Sequence, residues 1–134
     1  FFWRLQAMRF LSSSTGDLIS DIEGLIPGDL ELCIRDNRKV QNELEETNWT
    51  EKIGKIIWVN WDTSWTGTNP SYTIPIEVTL THELYHAYQG LTGGIPTDQA
   101  TRENPAIAQE NMMRLAFYWK VPGYTHLWPL RKYF

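Results

Sequence analysis

Hydrophobic positions along the 134-residue chain fall into blocks with two different periods. Trp3, Leu5, Met8 and Leu11 are loosely helical in spacing and stop at Ser12-Ser13-Ser14. Leu18, Ile19, Ile22, Leu25 and Ile26 then recur at helical intervals, with Ser14 and Asp17 placed to cap the start and Pro27-Gly28 to end it. Gly24 weakens that helix. Leu30, Leu32 and Ile34 alternate with Glu31, Cys33 and Arg35, which predicts a strand closed by Asp36-Asn37. Residues 55–61, rich in Ile, Val and Trp, predict a second strand, and residues 62–72 a loop of Thr, Ser, Gly, Asn and Pro.

The second half reads as two helices. Thr73 or Ile74 precedes the first, with Pro75 at its opening position and Glu77 in its first turn, where an acidic side chain faces the positive end of the helix dipole. It runs through Val78, Leu80, Leu84 and Ala87, and Gly90 ends it. Residues 91–102 read as polar loop. The last helix opens on Asn104 as cap with Pro105 at its first position and continues to about Trp119. Residues 121–134 are aromatic and punctuated by Pro, with no clear period. Helices plus a small sheet predict an α+β class.

Composition narrows the function classes. Hydrophobic residues make up 42% and charged residues 21%, which describes one soluble globular domain spanning 1–134. Lys and Arg total 12 against 16 Asp and Glu, a formal charge of −4, which argues against nucleic acid or an anionic membrane as partner. The single cysteine, Cys33, has no internal disulfide partner and reads as packing. No apolar run approaches the roughly 18 residues of a membrane helix. Arg4 and Arg9 interrupt the apolar opening too often for a signal peptide.

The chemistry concentrates in His82-Glu83-Leu84-Tyr85-His86. Two histidines four apart lie one above the other on a helix, so both imidazoles reach one metal ion. Glu83, about 100° around the helix from His82, is close enough to take a proton from water at that ion. With 3 His and 10 Glu in 134 residues, the pattern arises by accident in roughly one such chain in two hundred. A catalytic zinc of this kind needs a third protein ligand. The Gly and His that would continue a metzincin pattern are Gln89 and Thr92 here, which excludes that reading. Glu110 comes first among the remaining candidates. It sits on a helix face with Ala106, Ile107, Met113 and Phe117, where a carboxylate is costly unless paired or metal-bound. Glu103, placed just outside the helix, and Asp98 follow.

His82–His86, then Glu103-x-x-Ala106-Ile107-x-x-Glu110-Asn111-x-x-Arg114 and a Pro-Gly-Tyr-Thr-His stretch, resemble the zinc metallopeptidase domains of bacterial secreted effectors. These include the type III effector proteases that cleave host signalling kinases and the C-terminal domains of Rhs-type polymorphic toxins. The likeness covers about residues 55–128. It implies a zincin-like domain with a small sheet packed on the active-site helix, and a gluzincin-like centre of one Zn²⁺ per chain on His82, Glu83, His86 and a downstream Glu. It also implies a protein substrate, delivery into a target cell as part of a larger carrier, and an immunity protein as partner where the domain is a toxin. The paired acidic residues common between the two motifs in such domains are missing here, and Tyr124 stands where an Arg is expected.

The sequence therefore predicts a zinc endopeptidase with His82, His86 and Glu110 as ligands and Glu83 as the base. Tyr124 and His126 are candidates to face the oxyanion, and Arg114 to support Glu110 or Glu103. Asn60, Trp61 and Trp65 are candidates to border the cleft, with residues 55–61 as an edge strand for the substrate. Two alternatives stand beside it. One is a non-enzymatic zinc-stapled protein-binding module. The other is a self-inhibited peptidase whose residues 1–11 cover the cleft.

Overall fold

A computed structural model describes the backbone of residues 2–25, 31–36, 49–53, 56–61 and 74–134, and the side chains of residues 5–25 and 74–134. Helices α1 (Phe2–Leu11) and α2 (Ser13–Leu25) form an almost continuous pair. The Ser12 N–H still bonds the Met8 carbonyl at 3.0 Å while its hydroxyl accepts from the Thr15 N–H at 3.3 Å. The cap of α2 is therefore Ser12, where Ser14 and Asp17 were expected. The Ser14 hydroxyl instead donates to Gln109 Oε1 at 3.2 Å, tying α2 to the last helix. Among the described side chains of α1, Met8 is fully buried, with Leu5 and Leu11 against the same core.

Helix α3 (Ile76–Leu91) starts after Pro75 and outlasts Gly90 by one residue. It is central, packing on α4 (Gln99–Lys120) and on α2. One side contributes Val78, Leu80, Leu84 and Ala87 to a core completed by Leu18, Ile19 and Ile22 of α2 and by Met113, Ala116 and Phe117 of α4. Thr79, Thr81, His82, Glu83 and His86 are buried as well, so α3 has almost no solvated face along these turns. The Thr81 hydroxyl meets the Glu77 carbonyl at 2.8 Å and that of Thr79 the Ile76 carbonyl at 3.1 Å, satisfying polar groups inside the helix.

Helix α4 begins at Gln99, well before the start predicted from Asn104 and Pro105. Asp98 is the reason. Its carboxylate accepts from the Thr101 N–H at 2.9 Å and the Thr101 hydroxyl at 2.7 Å, a cap strong enough to start the helix there. Pro105 is carried inside the helix, its fixed φ already helical and its loss confined to one bond to the Thr101 carbonyl. Glu103 thereby moves from a loop onto the helix, seven residues before Glu110 and on the same face. Beyond α4 a single 3₁₀ turn (Thr125–Leu127) plants Leu127 in the core, 2% exposed.

The expected α+β class, a sheet packed on the active-site helix, is corrected for the body that carries these residues. Where side chains are described the chain is 74% helix with no strand or sheet. The apolar side of α3 is covered by α2 and α4, and the described core forms where helical stripes meet. Backbone alone traces strands β1 (Glu31–Asp36), β2 (Trp49–Ile53) and β3 (Ile56–Trp61), with β3 between a parallel β1 and an antiparallel β2. The backbone of β2 and β3 passes alongside α3. The side chains of Cys33, Asn60 and Trp61, with Trp65 and the 62–72 loop, lie outside the described residues.

Leu84, 1% exposed at the centre of this helical core, tests it. Leu84→Ala is expected to cost about 3 kcal/mol in urea unfolding. Phe10→Ala, at a side chain 88% exposed, is expected to stay within about 0.5 kcal/mol. Equal effects would contradict the packing described.

Candidate metal centre

His82 and His86 project from the same side of α3, and their Nε2 atoms stand 3.1 Å apart. Each ring is fixed from behind. His82 Nδ1–H donates to Glu110 Oε1 at 2.9 Å; a carboxylate only accepts, so the proton is on that nitrogen. His86 Nδ1–H donates to Gln89 Oε1 at 2.8 Å, and the Gln89 amide is oriented by its own donation to the Arg102 carbonyl at 3.0 Å. In the neutral rings both Nε2 atoms therefore carry lone pairs, and they face each other.

A third electron-rich atom joins them. Glu103 Oε2 stands 2.8 Å from His86 Nε2 and 3.6 Å from His82 Nε2, and the atom is buried. Three lone-pair atoms this close repel one another unless a proton or a cation lies among them. Tetrahedral ligands with bonds of about 2.0–2.1 Å stand about 3.3 Å apart, close to the separations found here. Glu83, 3% exposed, comes within 4.8 Å of both histidines with a carboxylate oxygen, so His82, Glu83 and His86 form a group able to hold a metal ion. Imidazole and carboxylate donors suit a divalent transition ion.

Electrostatics carry the same message. Burial alone would lower the pKa of His82, yet Glu103 and Glu110 on opposite edges of the ring raise it to about 9. Burial lifts Glu83 to about 7, despite the pull of His82 and His86 in the other direction. For Glu103, burial acts against ionisation but bonding to His82 and His86 overrides it, and the group falls well below the usual carboxylate range. Glu110, also buried, is lowered by His82, Arg131 and Arg114. Without metal the cavity thus retains a proton in the place a cation would take.

The predicted site residues divide accordingly. His82, Glu83, His86, Glu103 and Glu110 come together, with Glu103 on the Nε2 side and Glu110 on the Nδ1 side of His82. Arg114 Nε donates to Glu110 Oε2 at 3.0 Å. Asp98 is engaged as the α4 cap. Tyr124 packs edge-on against Phe117 and lies beside His126. Phe117 is seven residues beyond Glu110, about 10 Å further along α4. Gln89 and Arg131 were not anticipated. In the sequence Gln89 only excludes a metzincin, although its place one turn after His86 is where a group that orients that ring belongs.

Residues 6–116 match the Peptidase M91 family, described as effector protein. The chain belongs to that family. Its histidine helix, the Glu103–Glu110 helix up to Ala116 and the α1–α2 pair from Gln6 onward all fall within the matched span. A Peptidase M91 chain is an effector peptidase in class, which agrees with a group at His82, Glu83 and His86 able to hold a metal ion. Neither the curated proteins nor the solved structures contain a match to the chain. Among the described residues no helix is long and apolar enough to cross a membrane.

The proton held at His82 gives a test with a definite sign. A pKa raised on folding contributes stability that is complete below about 6.5 and lost as pH rises toward about 9. Glu83, also raised, adds a loss of the same sign between about 4.5 and 7. Chelator-treated protein should therefore melt at steadily lower temperature from pH 6.5 to 9. The rise in Tm on adding zinc should grow over the same range, because metal and proton compete for the same nitrogen. A zinc-induced shift that shrinks with pH would contradict this.

Proposed function

We propose that the chain is a zinc-dependent endopeptidase that hydrolyses a protein of the cell into which the effector is delivered. The observation that carries this reading is the convergence of His82 Nε2, His86 Nε2 and Glu103 Oε2 with the Glu83 carboxylate beside them. In this reading His82, His86 and Glu103 hold the zinc. Glu110, the ligand expected from sequence, instead orients His82 through Nδ1, as Gln89 orients His86. The exchange follows from the longer α4, which puts two carboxylates on one helix face and leaves Glu103 the one that faces the Nε2 atoms.

When bound, the zinc would supply a Lewis acid that polarises the scissile carbonyl and lowers the pKa of water toward about 7. Glu83 accepts one proton from the attacking water as its oxygen bonds to the carbonyl carbon. It then delivers that proton to the amide nitrogen as the C–N bond breaks, releasing an amine and a carboxylic acid. In the metal-free protein burial raises Glu83 to about 7, which favours a carboxylate that can both take and return a proton. Glu103 is 21% exposed, and in this reading a substrate would approach the centre from that side.

The burial of Glu83 also favours a second reading, in which Glu83 closes the site as a fourth ligand and the zinc only staples the domain. Glu83→Gln separates the two. A peptidase retains one zinc per chain and loses roughly 10²–10⁴-fold in cleavage of denatured casein, whereas a staple loses metal and stability. Zinc content of Glu103→Ala and Glu110→Ala, measured in parallel, tests the ligand assignment. The first should lose the metal and the second bind it about 10–100-fold more weakly. The reverse pattern would restore Glu110 as the ligand.

A further inference from the structure

The segment after Leu127 lies along α4 in a manner that its sequence does not suggest. Asn111 Nδ2 donates to the Arg131 carbonyl at 2.9 Å, and the Arg131 N–H donates back to Asn111 Oδ1 at 3.0 Å. Asn104 does the same with Phe134, its Nδ2 meeting the carbonyl at 3.3 Å and its Oδ1 accepting from the N–H at 2.8 Å. Both main-chain groups of each residue are thus paired, as they would be in a sheet ladder. The spacings agree: seven residues of helix advance about 10.5 Å, and three residues of extended chain about 10 Å. Glu103-Asn104 and Glu110-Asn111 are a repeated pair in which each Glu faces the histidines and the next residue, 100° round, holds the tail.

The outcome is that Arg131 reaches the metal centre from outside α4. Its Nη1 donates to Glu110 Oε1 at 2.8 Å, the same oxygen that accepts from His82 Nδ1, while Arg114 holds Oε2. Glu110 is 3% exposed and receives three donors on two oxygens. Arg114, four residues on in the same helix, holds only one edge of the carboxylate. Arg131 locks the other. A carboxylate pinned at both oxygens stays on the Nδ1 side and does not swing toward the Nε2 atoms to compete with Glu103.

We propose that Arg131, delivered by the Asn104 and Asn111 clamps, is a positioning residue of the metal centre that acts through Glu110 to orient His82. This rests on the zinc reading above, and the experiment keeps the two apart. Zinc dissociation constants are measured by chelator competition for the wild type, Arg131→Ala, Arg131→Lys, Asn111→Leu and the Arg131→Ala/Asn111→Leu double variant. The His82 Nδ1–H resonance is followed by ¹⁵N–¹H NMR in the chelated proteins. Arg131→Ala should bind zinc about tenfold more weakly and broaden or shift the His82 resonance, with unchanged circular dichroism. Arg131→Lys should recover most of the affinity. Asn111→Leu should match Arg131→Ala, and the double variant should lose little more, because both act along one path. A wild type that binds zinc, with Arg131→Ala binding equally well and an unmoved His82 resonance, overturns this inference and leaves the zinc reading standing. A wild type that binds no zinc overturns both.

Discussion

Three lone-pair atoms held within 3.6 Å of one another, largely out of water, are the constraint around which the described structure is organised. Left alone, two imidazole nitrogens and a carboxylate oxygen in this arrangement would separate. They are kept together because nothing behind them yields. His82 leans on Glu110, His86 on Gln89, and both rings rise from a helix buried on nearly every side. The strain of the arrangement is relieved only by a positive charge in the middle, and the raised pKa of His82 is the metal-free protein's way of supplying one.

The supporting layer is drawn from distant parts of the chain. Gln89 belongs to α3 itself, yet its amide is oriented by the carbonyl of Arg102, across the loop in α4. Glu110 is held by Arg114 within its helix and by Arg131 from the tail. The Lys120 ammonium reaches the Leu11 carbonyl at 2.8 Å, closing the far end of α4 against α1. Apart from the Arg114 pair, each tie connects α4 to something other than its own helix. The placement of α4 against α3 decides where Glu103 stands, and these contacts hold its carboxylate beside the two histidines.

His82, Glu83 and His86 were legible in the sequence because their relation is local: four residues on a helix determine a face with no knowledge of the rest. The position of Glu103 beside them was not. Its reading turned on where α4 begins, and two competing start signals lie six residues apart. Pro105 suits a first turn, but Asp98 followed three residues later by Thr101 makes two real bonds, and the bonds prevail. Alternation at 30–35 and the Ile, Val and Trp content of 55–61 matched strand backbone at β1 and β3, yet neither says which layer builds the core. Val78, Leu80, Leu84 and Ala87 are covered by other helices. The role of residues 129–134 was invisible for a related reason. The tail is held by its main chain, and main-chain pairing leaves no mark on side-chain type beyond the two asparagines that provide it.

Charge accounts for the division of labour between the two glutamates. Glu110 meets two guanidinium groups and is neutralised by them, so it adds no net charge to the centre and serves as an acceptor that orients His82. Glu103 faces the histidines, with Arg102 no closer than 3.9 Å, and its charge remains available to a cation. In the zinc reading, Glu83 ionised as the base joins it, which leaves two negative charges opposite a divalent ion. If the arginines were removed, three carboxylates would crowd one buried volume and raise one another's pKa values. A further cation near Glu103 would leave the ion undercompensated. The arrangement found, with two arginines behind Glu110 and the histidines in front of Glu103, allows one helix face to carry two glutamates with different tasks.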